Sequence, residues 1–234
     1  MIRTKYFEAP LSDASPWPPG YESDEKHECM FCKQKTNYIY EFEEDCFGCV
    51  ICLTERKFNI SKTTDIGNVN RNGQLYKLVN TSKISLKNIL FSKKLSQKEI
   101  ESQAEIFSQS YKPKILKTPK QITTQQLLEI TYTPDISSFQ DISHPLHCND
   151  FMKYIGRWEQ TDFNKNSIDG DGRALWDQMV EDDLEHLWEE TEEEIQYYGK
   201  KWPQYETSNW AHGACVYVFE CLKCKLRECT WDCD

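Results

Sequence analysis

Between 176 and 198 the apolar positions Trp176, Met179, Val180, Leu184, Leu187, Trp188, Ile195 and Tyr198 recur at steps of three and four. That spacing is one face of a helix, which the pattern predicts over 176–198. The intervening positions are acidic: Glu181, Asp182, Asp183, Glu185, Glu189, Glu190, Glu192, Glu193 and Glu194, with no Lys or Arg among them. Like charges one turn apart cost helix stability, so this face reads as a surface for a basic partner, with a solvated acidic face as the plainer reading. Two stretches alternate instead. Asn37 to Phe42 is aromatic and β-branched, and Cys215 to Cys221 alternates around Val216, Tyr217, Val218 and Phe219; both predict strands. Residues 126–134 form a short element stopped by Pro134, and Phe139, Phe151, Tyr154 and Trp158 mark a return to core. Residues 8–24 hold four prolines and a glycine and predict loop.

Between these segments the composition changes. Residues 59–125 are rich in Lys, Ser, Asn, Gln and Thr. Nine Lys stand against three Glu from 82 to 120, a local surplus of six positive charges. Leu95, Ile100 and Phe107 have modest helical spacing near Ser96 and Glu99, a capping-box pair. The chain therefore divides into an N-terminal segment and cysteine module (1–58), a partly helical Lys/Ser-rich insertion (59–125) and a core (126–234). The expected class is α+β.

Over 234 residues, 28 Lys and Arg against 38 Asp and Glu give a net charge of −10. Phosphate neutralisation needs a basic surface, so nucleic acid is not the expected partner. No apolar run approaches the roughly 18 residues that span a bilayer. The opening residues lack the apolar stretch of a secretory signal. A cytoplasmic location is expected, and no membrane partner. Aromatic residues at 13% argue for a packed body.

Eleven cysteines change the picture most. Clustered cysteines in a cytosolic chain read as metal binding rather than disulfides. Cys29 and Cys32 are followed after sixteen residues by Cys49 and Cys52. Each C-x-x-C turn aims two sulfurs at one point, and two such turns supply the tetrahedral four-sulfur shell of structural Zn2+. Cys46 is a competing ligand, but Cys49 and Cys52 pair as Cys29 and Cys32 do. Cys221 and Cys224 form a further knuckle without a C-x-x-C partner nearby. Its partners are either His147 and Cys148 or Cys229 and Cys233. One zinc ion is expected, with a second possible at this knuckle. No P-loop, G-x-G-x-x-G, H-E-x-x-H or G-x-S-x-G is present. The run Ile168 to Gly172 departs from the calcium-loop frame and reads as a turn. The expectation is a non-enzyme.

Several of these motifs together resemble the CbrC family, bacterial proteins named for a colicin-tolerance protein. Cys29 and Cys32 with Tyr38, Ile39 and Tyr40, then Cys49 and Cys52 running on to Lys57 and Phe58, are similar to its two N-terminal knuckles. Thr131 to Pro134, Phe139, Gln140, His147, Cys148, Asn149, Asp150, Phe151 and Gly156 resemble its central motif. Tyr217 to Cys221 with Cys224, Trp231 and Asp232 resemble its C-terminal strand and knuckle. Val50 and Ile51 stand where members usually carry Pro-Trp, Lys225 where they carry Gly, and Phe151 and Met152 where a further Cys occurs. The resemblance implies immunity to a bacterial protein toxin. The expected partner is thus a cognate toxin, probed by Asp182, Asp183, Glu185, Glu189, Glu190, Glu193 and Glu194, with Trp202, Tyr205 and Trp210 as aromatic anchors or core residues. A zinc-dependent regulatory or nucleic-acid-binding module using the lysines of 82–120, or a zinc enzyme, are the alternatives. The sequence assigns neither the toxin nor an oligomeric state.

Overall fold

Among the described residues, regular structure is mostly short antiparallel strands. The structure, a computed structural model, describes residues 1–14, 26–80, 111–138, 140, 142–180 and 214–233. Strands β1 (Ile2–Arg3) and β2 (Glu8–Ala9) pair at the N-terminus. They dock on β13 (Lys153–Arg157), where Phe7 bridges Tyr154 and the Tyr154 N–H donates to the Tyr6 carbonyl at 3.0 Å. β13 pairs with β14 (Ala214–Glu220), which pairs with β15 (Arg227–Cys233), giving a three-stranded antiparallel sheet. The strand expected at 215–221 is thus β14. Gly156 bulges from β13 with φ of 133°, a conformation that excludes a side chain at ordinary cost.

The cysteine module carries β3 (His27–Glu28), β4 (Lys35–Thr36), the hairpin of β5 (Ile39–Glu43) and β6 (Cys46–Cys49), and helix α1 (Val50–Thr54). The strand expected over 37–42 is β5. A four-stranded meander follows, β7 (Lys62–Thr64), β8 (Gly67–Val69), β9 (Leu75–Asn80) and β10 (Tyr111–Ile115). Within 59–125 the regular structure among the described residues is therefore mainly strand. The part expected to be helical, near Ser96 to Phe107, lies outside the described residues.

Helix α2 (Thr124–Ile130) starts at a capping box: the Thr123 hydroxyl accepts from the Gln126 N–H, and the Gln126 side chain accepts from the Thr123 N–H. The hairpin β11 (Leu146–His147) and β12 (Asp150–Phe151) follows. Helices α3 (Gln160–Asn166) and α4 (Gly172–Met179) cover the far side of the sheet.

The long acidic helix is not what this region shows. Trp176, Met179 and Val180 do face the core, but α4 begins at Gly172, capped by the Asp171 carboxylate, and ends at Met179. Val180 is already extended (φ −114°, ψ 146°). Residues 181–198, and with them the acidic positions, lie outside the described residues. So do Trp202, Tyr205 and Trp210.

Three apolar clusters hold the body. Trp158, Phe163 and Trp176 stack edge to face under α3 and α4. Tyr6, Val69, Leu75, Ile122, Leu127, Ile130 and Phe151 join the N-terminus, the meander and α2. A further cluster centres on Phe7, Tyr40, Leu53, Phe58, Tyr154, Tyr217 and Phe219, and it includes Cys29, Cys49, Cys52 and Cys221. The sulfur-bearing positions from both ends of the chain thus abut one core.

Candidate metal centre

Two groups of potential ligands emerge, each built on the same local turn. In the first, the Lys33 N–H donates to the Cys29 carbonyl at 2.8 Å, the Cys29 N–H donates to the Gln34 carbonyl at 2.9 Å, and Lys33 sits at φ 61°. In the second, the Lys225 N–H donates to the Cys221 carbonyl at 3.2 Å, the Cys221 N–H donates to the Leu226 carbonyl at 2.8 Å, and Lys225 sits at φ 65°. Both turns use a left-handed residue directly after the second cysteine. Such a residue is usually Gly, and a lysine there costs roughly 1 kcal/mol.

The first knuckle is completed by Cys49, at the end of β6, and Cys52, in the first turn of α1. The Met30 N–H donates to the Phe47 carbonyl and ties the knuckle to β6. The sulfurs of Cys32 and Cys49 lie 3.7 Å apart. Four sulfurs about 2.3 Å from a tetrahedral ion would be about 3.8 Å apart. All four ligand atoms lie within 4.8 Å of one another, and Cys29, Cys49 and Cys52 are buried. Burial opposes ionisation of Cys29, but the N–H groups of Cys32, Cys49 and Phe31 aim at its sulfur and bring the thiol down to about 6. Burial and the neighbouring thiols push Cys49 and Cys52 up. The group can carry its full negative charge only around a cation. Cys46 is not part of it; it lies in β6, paired with Glu43 across a bulge.

The second knuckle meets His147 and Cys148. The ligand atoms of His147, Cys148, Cys221 and Cys224 again lie within 4.8 Å of one another. His147 Nδ1 is 3.3 Å from the Cys224 sulfur. Adjacent ligands reach one point because β11 and β12 join through a two-residue turn, with Cys148 at φ 50° and Asn149 at φ 61°. This turn is clamped from three sides. Gln126 Nε2 donates to the Asn149 carbonyl at 2.9 Å, Lys223 Nζ donates to the Cys148 carbonyl at 2.7 Å, and Asp150 is held from below. The Tyr6 hydroxyl donates to Asp150 Oδ1 at 2.7 Å, and Lys5 Nζ donates to Oδ2 at 3.0 Å.

Burial opposes ionisation of Cys221, but the Cys224 and Lys223 N–H groups and His147 outweigh it and bring the thiol to about 6. The hydrogen bond with Cys224 pushes Cys148 up to about 11. The rival ligand Cys229 points away: its thiol donates to the Met179 carbonyl at 3.4 Å, and burial pushes it up to about 12.

Either group could hold a metal ion through four protein ligands, the closed arrangement of structural sites. The sequence signals for Cys29, Cys32, Cys49, Cys52, Cys221 and Cys224 thus fall on residues the fold brings together, and His147 and Cys148 are the partners of the last pair. Lys5, Tyr6, Gln126 and Lys223 carried no comparable signal, and Asp150 stood only as part of the central motif that carries the resemblance. Asp182, Asp183, Glu185, Glu189, Glu190, Glu193 and Glu194 lie outside the described residues. Among the described residues, no helix is long and apolar enough to cross a membrane.

The fold and these groups define a small α+β protein with two cysteine-rich potential metal sites. The model of the uncharacterised protein family UPF0167 matches residues 96–233, more than half of the chain, and the chain belongs to that family. The second group lies within the matched span and the first lies outside it. Neither the curated proteins nor the solved structures provide a match.

Proposed function

We propose that this chain is a cytoplasmic immunity protein: a zinc-stapled, non-catalytic binder that neutralises a cognate toxin through the acidic segment of 181–194. The observation that carries the reading is nine carboxylates in fourteen residues without a single Lys or Arg. A surface of that potential speeds and orients capture of a basic partner, and nuclease-type toxins carry basic grooves. The resemblance to colicin-tolerance proteins points the same way. Two four-ligand groups support a structural use of Zn2+ in both, because a closed shell leaves no position for a reacting water. The test is charge reversal of Glu189, Glu190 and Glu193 to Lys in the zinc-loaded chain, with affinity for the co-purifying toxin measured by calorimetry at two salt concentrations. Binding at least about tenfold weaker, with the salt dependence reduced, is expected. Unchanged affinity overturns the reading.

A second reading has one observation in its favour. Lys77 faces Lys114 across β9 and β10, and Lys112 shares their face, with no ion pair to any of the three among the described residues. Like charges directly opposed are unfavourable unless a polyanion lies over them. A salt-sensitive shift of RNA or DNA, abolished by Lys112→Glu with Lys114→Glu, would establish a nucleic-acid-binding module instead.

A further inference from the structure

We propose that His147, Cys148, Cys221 and Cys224 form a thiol-oxidation site, where a peroxide-class oxidant joins Cys148 to Cys224 and releases the metal. The first group keeps its metal under the same exposure. This rests on the zinc reading above and adds a chemical response to one of the two sites.

The argument starts from the difference between two groups of the same local design. In the first, three of the four cysteines are buried, and Cys32 is half-buried and packs against the same apolar core. In the second, Cys148 and Cys224 are exposed, and only Cys221 is buried. Oxidation of a cysteine follows thiolate character and exposure. Metal coordination makes thiolates of all of them, so access decides which react.

Geometry then selects the pair. Cys148 occupies the tip of a two-residue turn and Cys224 the outer corner of the knuckle, and their sulfurs lie within 4.8 Å. Closing to a disulfide of about 2.05 Å needs only small side-chain motion from that separation. Cys221 is buried in the core that contains Phe219 and Tyr154, which holds it back from solvent.

The chemistry balances with one peroxide. One exposed sulfur attacks the O–O bond; an S–O bond forms, and the departing oxygen takes a proton and leaves as water. The second sulfur attacks the first; the S–S bond forms, the S–O bond breaks, and the hydroxide leaves protonated. Two thiolates, one hydrogen peroxide and two protons thus yield one disulfide and two waters, the two electrons passing from sulfur to peroxide. Zn2+ loses two of its four ligands, and His147 with Cys221 alone do not hold it. The new bond spans the same two elements that the metal bridged, the β11–β12 hairpin and the knuckle between β14 and β15. The hairpin therefore stays attached after the metal leaves, and a thiol reductant with Zn2+ reverses the change.

The experiment treats the full zinc-loaded chain with equimolar hydrogen peroxide under argon. Released Zn2+ is followed with 4-(2-pyridylazo)resorcinol, and disulfides are mapped by peptide mass spectrometry. Two zinc ions per chain are expected at the start. One should leave at least about tenfold faster than the other, in step with a Cys148–Cys224 cross-link, and dithiothreitol with Zn2+ should restore it. Release of both ions at one rate, a fast phase from the first group, or a Cys221–Cys224 cross-link overturns this proposal and leaves the zinc reading standing. A chain purified without zinc overturns both.

Discussion

Replacing Tyr6 by Phe removes one atom and tests whether the second ligand group is positioned from beneath. Tyr6 is fully buried and Asp150 is 8% exposed. The hydroxyl donates to Asp150 Oδ1 at 2.7 Å, so a neutral donor serves a carboxylate inside the protein. Hydrogen bonds to charged groups contribute about 1.5–3 kcal/mol. Asp150 keeps its other donors in the variant, Lys5 Nζ at 3.0 Å, the Phe151 N–H at 3.0 Å and the Gln126 side chain, which places the loss near 2 kcal/mol. The ring retains its edge contacts with Phe151 and His144, so no apolar burial is lost. With a urea m-value of about 2–3 kcal/mol per M, the midpoint should fall by about 0.7–1 M.

Asp150 directly follows the turn that carries Cys148. Zinc affinity of the second group should therefore weaken about tenfold against a competing chelator, while the first group is unchanged. Burial raises the Asp150 carboxyl, but Tyr6, Lys5 and Gln126 outweigh burial and hold it below the usual carboxylate range. A depressed carboxyl stabilises the fold above its unfolded value of about 4 and loses that contribution as pH falls through the folded value. The stability curves of Tyr6→Phe and the parent should then converge in acid. A midpoint shift below about 0.2 M, or equal weakening of both ligand groups, would refute this reasoning.

Three other perturbations follow from the same geometry. A methyl group at Gly48 would overlap the Phe58 ring, which is pinned by Phe31 and Phe42 at 5.4 and 4.7 Å; Gly48→Ala should cost about 1–3 kcal/mol in denaturant melts. Cys32→Ser should lower the metal content by one ion per chain and sharply destabilise the N-terminal module, while Cys46→Ser leaves the metal content unchanged by elemental analysis. Burial, with the Lys62 charge, pushes His144 down to about 3, so the native state stays unprotonated while the unfolded chain takes a proton below about 6.5. Stability should thus fall by about 2 kcal/mol between pH 6.5 and 5, and His144→Gln in metal-buffered melts should flatten that slope.

The first ligand group was legible because a C-x-x-C step is a local turn: Cys29 and Cys32, and Cys49 and Cys52, aim their sulfurs through short-range geometry that the spacing encodes. The strands at β5 and β14 were legible for the same local reason, their aromatic and β-branched alternation. The second group was only half legible. Cys221 and Cys224 mark a knuckle, but the choice between His147 with Cys148 and Cys229 with Cys233 depends on a contact across more than seventy residues. That choice is made by the pairing of β13 with β14, and no spacing carries it. The bounds of the helix were not legible, because three- and four-residue spacing reports an apolar face and not a terminus. Trp176 and Met179 pack as the pattern requires, but the helix that carries them runs Gly172–Met179 and is capped at Val180, and the acidic positions from 181 onward lie outside the described residues. The buried network of Lys5, Tyr6 and Asp150 was not legible as a network: Asp150 stood in the central motif, but an isolated Lys-Tyr pair far along the chain has no periodicity that ties it there.

The positions of the two ligand groups explain why this chain would need them. Both lie where regular structure is thinnest. β3 and β4 span two residues each, as do β11 and β12, and isolated two-stranded ribbons of that size have little stability in water. The flanking backbone also holds non-glycine residues at positive φ, namely Lys33, Cys148, Asn149 and Lys225, each costing roughly 1 kcal/mol. Four ligand bonds at each place would offset both deficits, because a site absent from the unfolded chain turns metal affinity into folding free energy. Cys29, Cys49, Cys52 and Cys221 share one apolar cluster with Tyr154, Tyr217 and Phe219, so ordering at either group is felt in the same core. Chelation should accordingly loosen the protein from its two knuckles inward. Amide exchange would rise first around Cys29–Gln34 and His147–Asp150 and last in the β13–β14 ladder, whereas uniform exchange across all three would mean the sheet and the knuckles unfold as a single unit.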